Sequence, residues 1–385
     1  MGCSNVLEND IEDKTKAINL ENAELHNVIN LEEATFIADY MLNKKSTRTL
    51  ETPEIDYVIR KKGLTRSEKF IPDTLAYIIN YPEGGFVIVS ADRRVYPILG
   101  FSYENKFSFT NEIVYSEFID NIESYIENAD DTIIYDVTEG NFDSCYDFPP
   151  KIQISLSQGA PWNKYVIQEH PGCPVGCVAV ATALVMSHTQ RSLQYHGVTY
   201  NFKSLVETIQ EGPTYNILQN NNVQPNVVVV PTPENPSYTY AEAVDAMAKI
   251  LYWIGKDVNM NYKIGGSSAS SEKAYNLCYS LGFTVPSGYV TYDIIQITEY
   301  LRDNYIIYLR GTNDQNGGHA WVVDGCSFCV DANNEIIDTY LHCDWGWGGT
   351  SNGYFSGRVF EVPAGKYEPR NFFAVKRSWD LQWSN

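Results

Sequence analysis

Apolar residues run almost without interruption from Val178 to Met186, where Thr182 is the one polar side chain. Three of these nine residues are alanine, the strongest helix former. A helix that is apolar on every side lies inside a domain rather than on its surface. The pattern therefore predicts a buried central helix that begins at Cys177, directly after a Gly-Cys-Pro-Val-Gly turn.

Weaker periodicities predict the elements around that helix. Apolar residues return every three to four positions, as on amphipathic helices, in the segments 31–43, 115–128, 240–255 and 271–282. Runs typical of strands occupy 55–59, 75–81 and 85–90. Beyond residue 292 the chain is mainly strand-like, at 306–309, 320–323, 336–343, 353–360 and 372–375. Helices and strands that segregate in this way predict an α+β fold.

Charge divides the chain into two parts. The formal net charge is −20, so nucleic acid and anionic membrane surfaces are poor partners. Residues 1–150 carry 28 acidic and 13 basic side chains, whereas residues 151–385 carry 20 and 15. Eleven acidic residues and no Lys or Arg lie between Glu112 and Asp147, which is typical of a linker. We therefore predict a tether (1–27), a small α+β domain (28–130), an acidic linker (131–152) and a second domain (153–385).

The N-terminus carries a short motif, Met1-Gly-Cys-Ser-Asn5. A bacterial lipoprotein signal ends in a small residue and the cysteine that receives the lipid, so a trimmed signal with an added start Met would leave this motif. A chance cysteine is the alternative, and N-myristoylation fits less well because Val6 occupies the position that prefers Ser or Thr. No stretch approaches the roughly 18 apolar residues of a membrane span. We expect a secreted or envelope location, with a lipidated Cys3 as one option.

Cys177 is a candidate nucleophile because of its place at the start of the predicted helix. Unpaired backbone N–H groups and the helix dipole favour an anion there, which lowers the pKa of a thiol and favours the thiolate. A buried structural cysteine or one half of a disulfide is the alternative. Cys326-Ser-Phe-Cys329 with His342-Cys343 has zinc-ligand residue types. The usual second C-x-x-C is missing, so we expect packed thiols or a disulfide there and no metal.

A thiol nucleophile needs a histidine base, because imidazole exchanges protons near neutral pH. His188 ends the same predicted helix as Cys177, about 16 Å away by the rise of an α-helix, which is too far. His319 has a distinctive frame, since two glycines that permit close approach precede it and an alternating strand follows. A surface loop histidine is the alternative interpretation.

The motif His342-Cys-Asp-Trp-Gly-Trp-Gly-Gly349 contains a group that could orient this base. Asp344 could accept the N–H of His319 and fix its tautomer, while Trp345 could shield that bond from water. Turn and core packing alone would also explain the Trp-Gly run. The separation from Cys177 to His319, 319 − 177 = 142 residues, lies in the range of papain-like enzymes.

Together these motifs resemble the streptopain-type family of papain-like bacterial cysteine proteases, in the precursor form. The resemblance rests on Val175–Met186, Gly318–Gly325 and Asp344–Gly349. It implies a papain-like catalytic domain in which helices and an antiparallel sheet meet. It also implies that segment 85–102 belongs to an inhibitory pro-domain that occludes the cleft.

The resemblance also implies further site residues. Gln158, in Gln158-Gly-Ala-Pro-Trp-Asn163, would donate to the oxyanion together with the backbone N–H of Cys177. Substrate would bind along the glycine-serine loop and the glycine before the histidine, at Gly266, Ser267, Ser268 and Gly318. The family usually has Asn where this chain has Asp344. A carboxylate would favour the imidazolium, so we expect a shifted pH optimum.

The sequence therefore predicts a secreted or surface-anchored cysteine endopeptidase made as a zymogen. Cys177 would attack the peptide carbonyl, His319 would act as general acid and base, and cleavage of the acidic linker would release the pro-domain. Protein or peptide substrates and the chain's own pro-domain are the expected partners, and no cofactor is needed. The alternatives are a transglutaminase-like acyl transferase, which uses the same residue order, and a catalytically silent surface lipoprotein that binds.

Overall fold

The computed structural model describes residues 27–43, 53–60, 71–108, 118–135, 144–189, 192–211, 238–313, 317–330, 336–361 and 370–376. The predicted lipid attachment at Cys3 and nearly all of the predicted tether lie outside these residues. None of the described helices is long and apolar enough to cross a membrane.

The N-terminal part of the structure (27–135) is a small sheet covered by helices. The predicted helix at 31–43 is confirmed, and it buries Ala34, Ile37 and Met41 at helical spacing. A Tyr81–Gly85 turn, closed by a backbone hydrogen bond of 3.1 Å, joins the second and third strands. The elements are α1 (Leu31–Asn43), β1 (Glu54–Arg60), β2 (Thr74–Asn80), β3 (Phe86–Ser90), β4 (Ile98–Ser102) and α2 (Asp120–Glu127).

The C-terminal part (144–376) begins with one strand and continues with helices. The predicted central helix is confirmed from Cys177 to His188, and every residue after Cys177 in it is buried. The elements are β5 (Ser144–Phe148), α3 (Val166–Glu169), α4 (Cys177–His188), β6 (Ser192–Tyr195), β7 (Val198–Asn201), α5 (Phe202–Gln210), α6 (Tyr240–Asp257) and α7 (Ser271–Ser280).

Strands dominate the remainder of the chain, as the sequence predicts. The elements are β8 (Val290–Thr291), α8 (Ile294–Arg302), β9 (Tyr305–Asn313), β10 (Gly317–Val330), β11 (Ile336–Asp344), β12 (Gly353–Ser356), a 3-10 helix (Gly357–Phe360) and β13 (Asn371–Lys376).

One sheet joins the two parts. Its order among the described strands is β1-β2-β3-β4-β12-β11-β10-β9-β13-β8, with β5 paired to β10. The connection between the parts is the antiparallel pair of β4 and β12, in which Phe101 lies opposite Tyr354. Their rings are stacked with centroids 5.0 Å apart. The N-terminal part therefore extends the sheet that carries His319.

The long strand β10 separates two apolar cores. Ala320 and Val322 pack with α4 and the other helices on one face, whereas Trp321 and Val323 pack into a second cluster on the opposite face. This alternation is what a strand of period two requires. The face on which a β10 side chain lies therefore decides which of the two cores it joins.

Three expectations about secondary structure are corrected. Residues 294–302 form helix α8 within the region predicted to be mainly strands, because the Asp293 side chain accepts from the N–H groups of Ile295 and Gln296 as an N-cap. Residues 357–360 form a 3-10 helix instead of continuing a strand. Within the predicted linker, residues 144–148 form strand β5, which pairs with β10, while residues 136–143 lie outside the described part.

Candidate active site

Cys177 is the first residue of α4, and the residue before it must be glycine. Gly176 has a φ of +97°, a conformation that L side chains rarely adopt. A Cβ on Gly176 would lie 2.8 Å from the Met260 side chain. The turn thus holds the thiol beside the unpaired N–H groups of the helix start. Cys177 is half-buried and belongs to no disulfide.

His319 lies near the start of β10, with 2% of its surface exposed. Its Nε2 atom is 3.0 Å from the carbonyl oxygen of Trp345. A carbonyl can only accept, so Nε2 is the donor and carries the proton. Nδ1 has no hydrogen-bond partner in the part of the chain that the structure describes. The neutral ring therefore keeps the lone pair of Nδ1 available to take up a proton.

The surroundings of His319 keep its ring neutral. Burial lowers the pKa of His319 to about 4, and the hydrogen bond to the Trp345 carbonyl raises it only in part. Two indoles flank the ring, with centroids 6.0 Å away for Trp321 and 6.5 Å away for Trp347. At neutral pH the imidazole is thus unprotonated at Nδ1, which is the form that a general base requires.

Cys177 and His319 line the same cavity, which has a volume of about 190 Å³. Two residues that are 142 positions apart in sequence (319 − 177) are thereby brought to one site by the packing of α4 against β10. The other residues of the cavity wall are Val178, Ser268, Ala269, Ser271, Arg310 and Gly318.

Two of the four predicted substrate-binding residues line this cavity. Ser268 and Gly318 are part of its wall, whereas Gly266 and Ser267 are not. Ser267 is buried, and its Oγ donates to the carbonyl of Pro174 at 2.7 Å. That bond fastens the loop to the turn that precedes Cys177. Gly266 lies in a turn closed onto Lys263 at 3.2 Å.

The predicted hydrogen bond between Asp344 and His319 is wrong. Asp344 accepts from the N–H of Gly346 at 3.0 Å, and the acceptor for His319 is the carbonyl of Trp345. Burial raises the pKa of Asp344 to about 6. The group that orients the imidazole is therefore a neutral backbone carbonyl, and the Asp344 side chain bonds to the turn after β11.

The sheet register explains why Asp344 cannot reach His319. Asp344 lies directly opposite Val322, and residues opposite one another in an antiparallel pair share a face. His319 lies three positions before Val322 on β10 (322 − 319 = 3), so Asp344 is displaced along the sheet from His319. The Asp344 carboxyl group bonds instead to the turn that follows β11.

The predicted shielding of the histidine by the Trp345 ring is also corrected. The indole of Trp345 packs against Trp321 and Phe355 at 5.2 and 5.3 Å, and the indole of Trp347 is the one stacked on His319 together with Trp321. Trp345 contributes its carbonyl, and its ring anchors the turn in the core. Both tryptophans belong to the same sequence motif. The ring next to His319 belongs to Trp347, two positions after the residue that was expected to shield it.

A second histidine and a second aspartate form a hydrogen bond of the kind that the sequence suggested for His319 and Asp344. His342 Nδ1 donates to Asp324 Oδ1 at 2.6 Å. The other carboxylate oxygen accepts from the backbone N–H groups of Lys151 and Ile152 at 3.0 and 2.8 Å. A break in register between Val323 and Gly325 takes Asp324 out of the regular pairing. This pair anchors the start of the C-terminal part to the sheet.

Gln158 is buried close to the helix that carries Cys177 but does not line the cavity. Its carbonyl accepts from the N–H of Val175 at 2.9 Å, and the nearby carbonyl of Leu156 accepts from Gly348 at 2.8 Å. The segment therefore connects the turn before Cys177 with the turn after Asp344. The donation of the Gln158 side chain to an oxyanion stays a prediction.

The cysteines around β10 and β11 are of two kinds. Cys329 belongs to a disulfide, and the residue opposite it on β5 is Cys145. Cys326 and Cys343 are buried thiols, and His342 is bonded to Asp324. Within the described ranges, no group of His, Cys, Asp and Glu side chains could hold a metal ion.

The N-terminal part contacts the turn that carries Trp345. Asn105 Nδ2 donates to the carbonyl of Asn352 at 3.1 Å, and the Ser108 N–H donates to Ser351 Oγ at 3.0 Å. Asn352 in turn accepts from the N–H of Trp345 at 3.1 Å. All described residues of the cavity wall come from the C-terminal part. The N-terminal part thus bonds to the turn that carries Trp345, while occlusion of the cleft by the pro-domain stays a prediction.

Arg310 and Trp347 are the site residues that the sequence reasoning missed. Arg310 lies on β9 and lines the cavity. It is directly opposite Ala320, the residue after His319, so only the pairing of β9 with β10 brings it close to the histidine. Trp347 could have been found from its motif, since it follows Trp345 by one glycine.

Comparison with protein families gives two matches that divide the chain as the fold does. Residues 156–355 match the Peptidase C10 family. Residues 26–126 match the Spi protease inhibitor family. The two matched segments correspond to the catalytic and N-terminal parts of the structure.

Individual relatives agree with these matches. The chain is 28% identical over 360 residues to streptopain of Streptococcus pyogenes, covering 83% of this chain and 81% of that protein. It is 24% identical over 326 residues to the thiol protease/hemagglutinin PrtT of Porphyromonas gingivalis, covering 74% of this chain and 34% of that protein. A solved fragment of Prevotella intermedia prointerpain A has a similar fold, with a TM-score of 0.50 at 18% identity, covering 84% of this chain and 98% of the fragment.

Proposed function

The chain belongs to the Peptidase C10 family and is a cysteine endopeptidase made as a precursor with an inhibitory pro-domain, and we propose that Cys177 and His319 carry its reaction. The observation that supports this assignment is the shared cavity, in which the thiol lies at a helix start and the imidazole has an unpartnered Nδ1. The orienting group is the Trp345 carbonyl, so the catalytic set is a dyad with a backbone acceptor.

The first half of the reaction forms a thioester. His319 Nδ1 takes the thiol proton as the sulfur of Cys177 attacks the substrate carbonyl carbon. The oxyanion is stabilised by the Cys177 backbone N–H and, by our proposal, the Gln158 side chain. When the tetrahedral intermediate collapses, the C–N bond breaks and Nδ1–H gives its proton to the leaving amine.

The second half releases the acyl product. Water enters the site, His319 Nδ1 takes one of its protons, and the hydroxide oxygen attacks the thioester carbon. Collapse of this intermediate breaks the C–S bond, and the thiolate regains its proton from the imidazolium. Throughout the cycle Nε2 stays bonded to the Trp345 carbonyl, so the ring keeps one orientation and one site for proton transfer.

We propose domain boundaries that differ slightly from the sequence-based ones. The pro-domain spans 28–130 and the acidic linker begins at 131. Strand β5 and the two N–H groups held by Asp324 argue that 144–152 belongs to the catalytic domain. Processing would therefore cut the linker on the N-terminal side of β5, and the mature chain would retain this strand.

For location we propose export to the cell envelope or the extracellular space of a bacterium. The relatives are bacterial proteases, and the disulfide at Cys329 is typical of an oxidising compartment. Attachment through a lipidated Cys3 is the finer proposal. Metabolic labelling with a fatty acid tests it, since the Cys3→Ala variant should lose all label.

The experiment that tests the function compares Cys177→Ala with Cys173→Ala in the full-length chain. Cys173 is a buried thiol four residues upstream and does not line the cavity. Under reductant, wild type and Cys173→Ala should hydrolyse a protein substrate and process their own linker, whereas Cys177→Ala should do neither. Equal activity of the two variants would contradict the proposal.

The same experiment separates the two alternatives. A transglutaminase-like enzyme would incorporate an added primary amine into protein in a Cys177-dependent manner without cutting chains. A silent binding module would leave substrate intact in every variant. We expect cleavage products with new N-termini and no amine incorporation.

A further inference from the structure

The cavity with Cys177 and His319 contains a cation that the peptidase reaction itself does not require. Arg310 lies on β9, and its partner across the sheet is Ala320, the residue next to His319. Its side chain is half-buried and forms part of the cavity wall. A substrate that reaches the thiol therefore enters a cavity that Arg310 also lines.

No carboxylate neutralises Arg310 in the part of the chain that the structure describes. The Arg310 guanidinium lies close enough to the Tyr289 hydroxyl to oppose, by its charge, the rise in the pKa of Tyr289 that burial causes. Ser271 Oγ is 2.9 Å from the Tyr308 hydroxyl. The Glu272 carboxylate also acts on Tyr289, whose pKa it raises. The described surroundings of Arg310 thus contain hydroxyl groups and no ion-pair partner for its charge.

The rest of the described wall is uncharged. It consists of small, hydroxyl and apolar groups together with the thiol, and burial keeps His319 neutral by lowering its pKa to about 4. Since a half-buried cation loses part of its hydration, an anion that enters the cavity gains a charge-assisted bond in a water-poor site. Guanidinium has five donors in a planar fork and binds a carboxylate in bidentate fashion.

We propose that Arg310 determines substrate specificity by binding an Asp or Glu side chain of the substrate close to the scissile bond. This inference rests on the proposed function of Cys177 and His319. Acidic polypeptides would then be the preferred class of substrate. Acidic sequence is present in the chain's own linker, which has five Asp or Glu residues and no Lys or Arg between 131 and 150.

The test uses sets of internally quenched peptides that differ only in Glu, Gln or Lys at single positions flanking the cleaved bond. The full-length enzyme is assayed after self-processing under reductant. At one position we expect kcat/KM for the Glu peptide to exceed that for the Gln peptide by at least about tenfold, the factor that one charge-assisted bond supplies. Arg310→Gln should reduce this ratio to about one while the Gln peptide is still cleaved. Arg310→Glu should instead favour Lys at the same position.

Matched variants separate specificity from structural damage. Arg310→Lys keeps the charge and should retain part of the preference, whereas Lys273→Gln removes an exposed cation outside the cavity and should retain all of it. Equal rates for Glu and Gln peptides in the wild type, or an equal loss of both in Arg310→Gln with the ratio preserved, would overturn the inference. Either result still shows Cys177-dependent cleavage, whereas the absence of cleavage of any peptide would overturn the proposed function itself.

Discussion

Two histidines on neighbouring strands of one sheet have opposite environments. His319 donates from Nε2 to a backbone carbonyl and leaves Nδ1 without a partner among the described residues. His342 donates from Nδ1 to Asp324, a carboxylate with 1% of its surface exposed that also holds two backbone N–H groups. The histidine with the stronger partner is structural, and the one with the weaker partner borders the cavity. A carboxylate beside a histidine is therefore not by itself a sign of catalysis.

The largest difference between the two histidines should appear in activity. His319→Ala removes the general acid and base and should lower kcat/KM by about 10³-fold, with the fold unchanged by circular dichroism. His342→Gln keeps a donor toward Asp324 and should stay within about threefold of wild type, because its ring takes no part in proton transfer. Steady-state kinetics on one peptide measure both. A comparable loss of activity in both variants would abolish the distinction.

The free energy of unfolding should depend more on the His342–Asp324 pair than on His319, the reverse of the order expected for activity. Asp324→Ala leaves His342 and the N–H groups of Lys151 and Ile152 without an acceptor, so we expect a loss of about 3 kcal/mol in the free energy of unfolding, as for other broken buried pairs. Urea denaturation of the Cys177→Ala background, in which self-processing cannot interfere, measures this loss. His319→Ala in the same background is the control and should lose clearly less. An unchanged urea midpoint for Asp324→Ala would show that the pair anchors nothing.

The pH dependence of stability tests the other aspartate. Burial raises the pKa of Asp344 to about 6, so the stability tied to its protonated form is complete below about pH 4 and is lost as the pH rises through about 6. Asp344→Asn cannot ionise. It should therefore gain about 1 to 3 kcal/mol relative to wild type between pH 4 and pH 7. Urea midpoints at these two pH values measure the gain, and parallel pH curves for the two proteins would contradict it.

The smallest effect should be that of Asp344→Asn on catalysis. The amide oxygen can still accept from Gly346, and the Trp345 N–H remains bonded to Asn352. The carbonyl that orients His319 thus keeps its position, and kcat/KM should change by less than about threefold, far below the 10⁴-fold cost of losing a triad carboxylate. A loss of 100-fold or more would restore Asp344 as the orienting residue.

How far the sequence predicts this site depends on how local each feature is. The helix that begins at Cys177 and the strand that follows His319 are encoded by contiguous patterns, and both predictions are confirmed. The partner of His319 depends on which face each strand residue takes and on the register of β10 with β11. Neither the face nor the register can be predicted from one contiguous segment of the sequence. Asp344 therefore looked like the orienting group, and a backbone carbonyl, which has no sequence signature, was overlooked.

The domain boundary illustrates the same limit. Acidic residues and two prolines predict a linker up to residue 152, and no strand is predicted from the sequence at β5 (Ser144–Phe148). Its place is fixed by pairing with a strand about 180 residues later (326 − 148 = 178) and by the Asp324 carboxylate. Long-range contacts of this kind override local composition.

The most direct test of the account measures how fast iodoacetamide alkylates Cys177 in the full-length chain as a function of pH, with peptide mapping to show which cysteine carries the label. In wild type and in Asp344→Asn we expect the label on Cys177, with the same pH profile and a rate well above that of an ordinary thiol at pH 6 to 7. His319→Ala should lose this enhancement. The account is contradicted if Asp344→Asn loses the enhancement, if His319→Ala keeps it, or if the label appears on another cysteine.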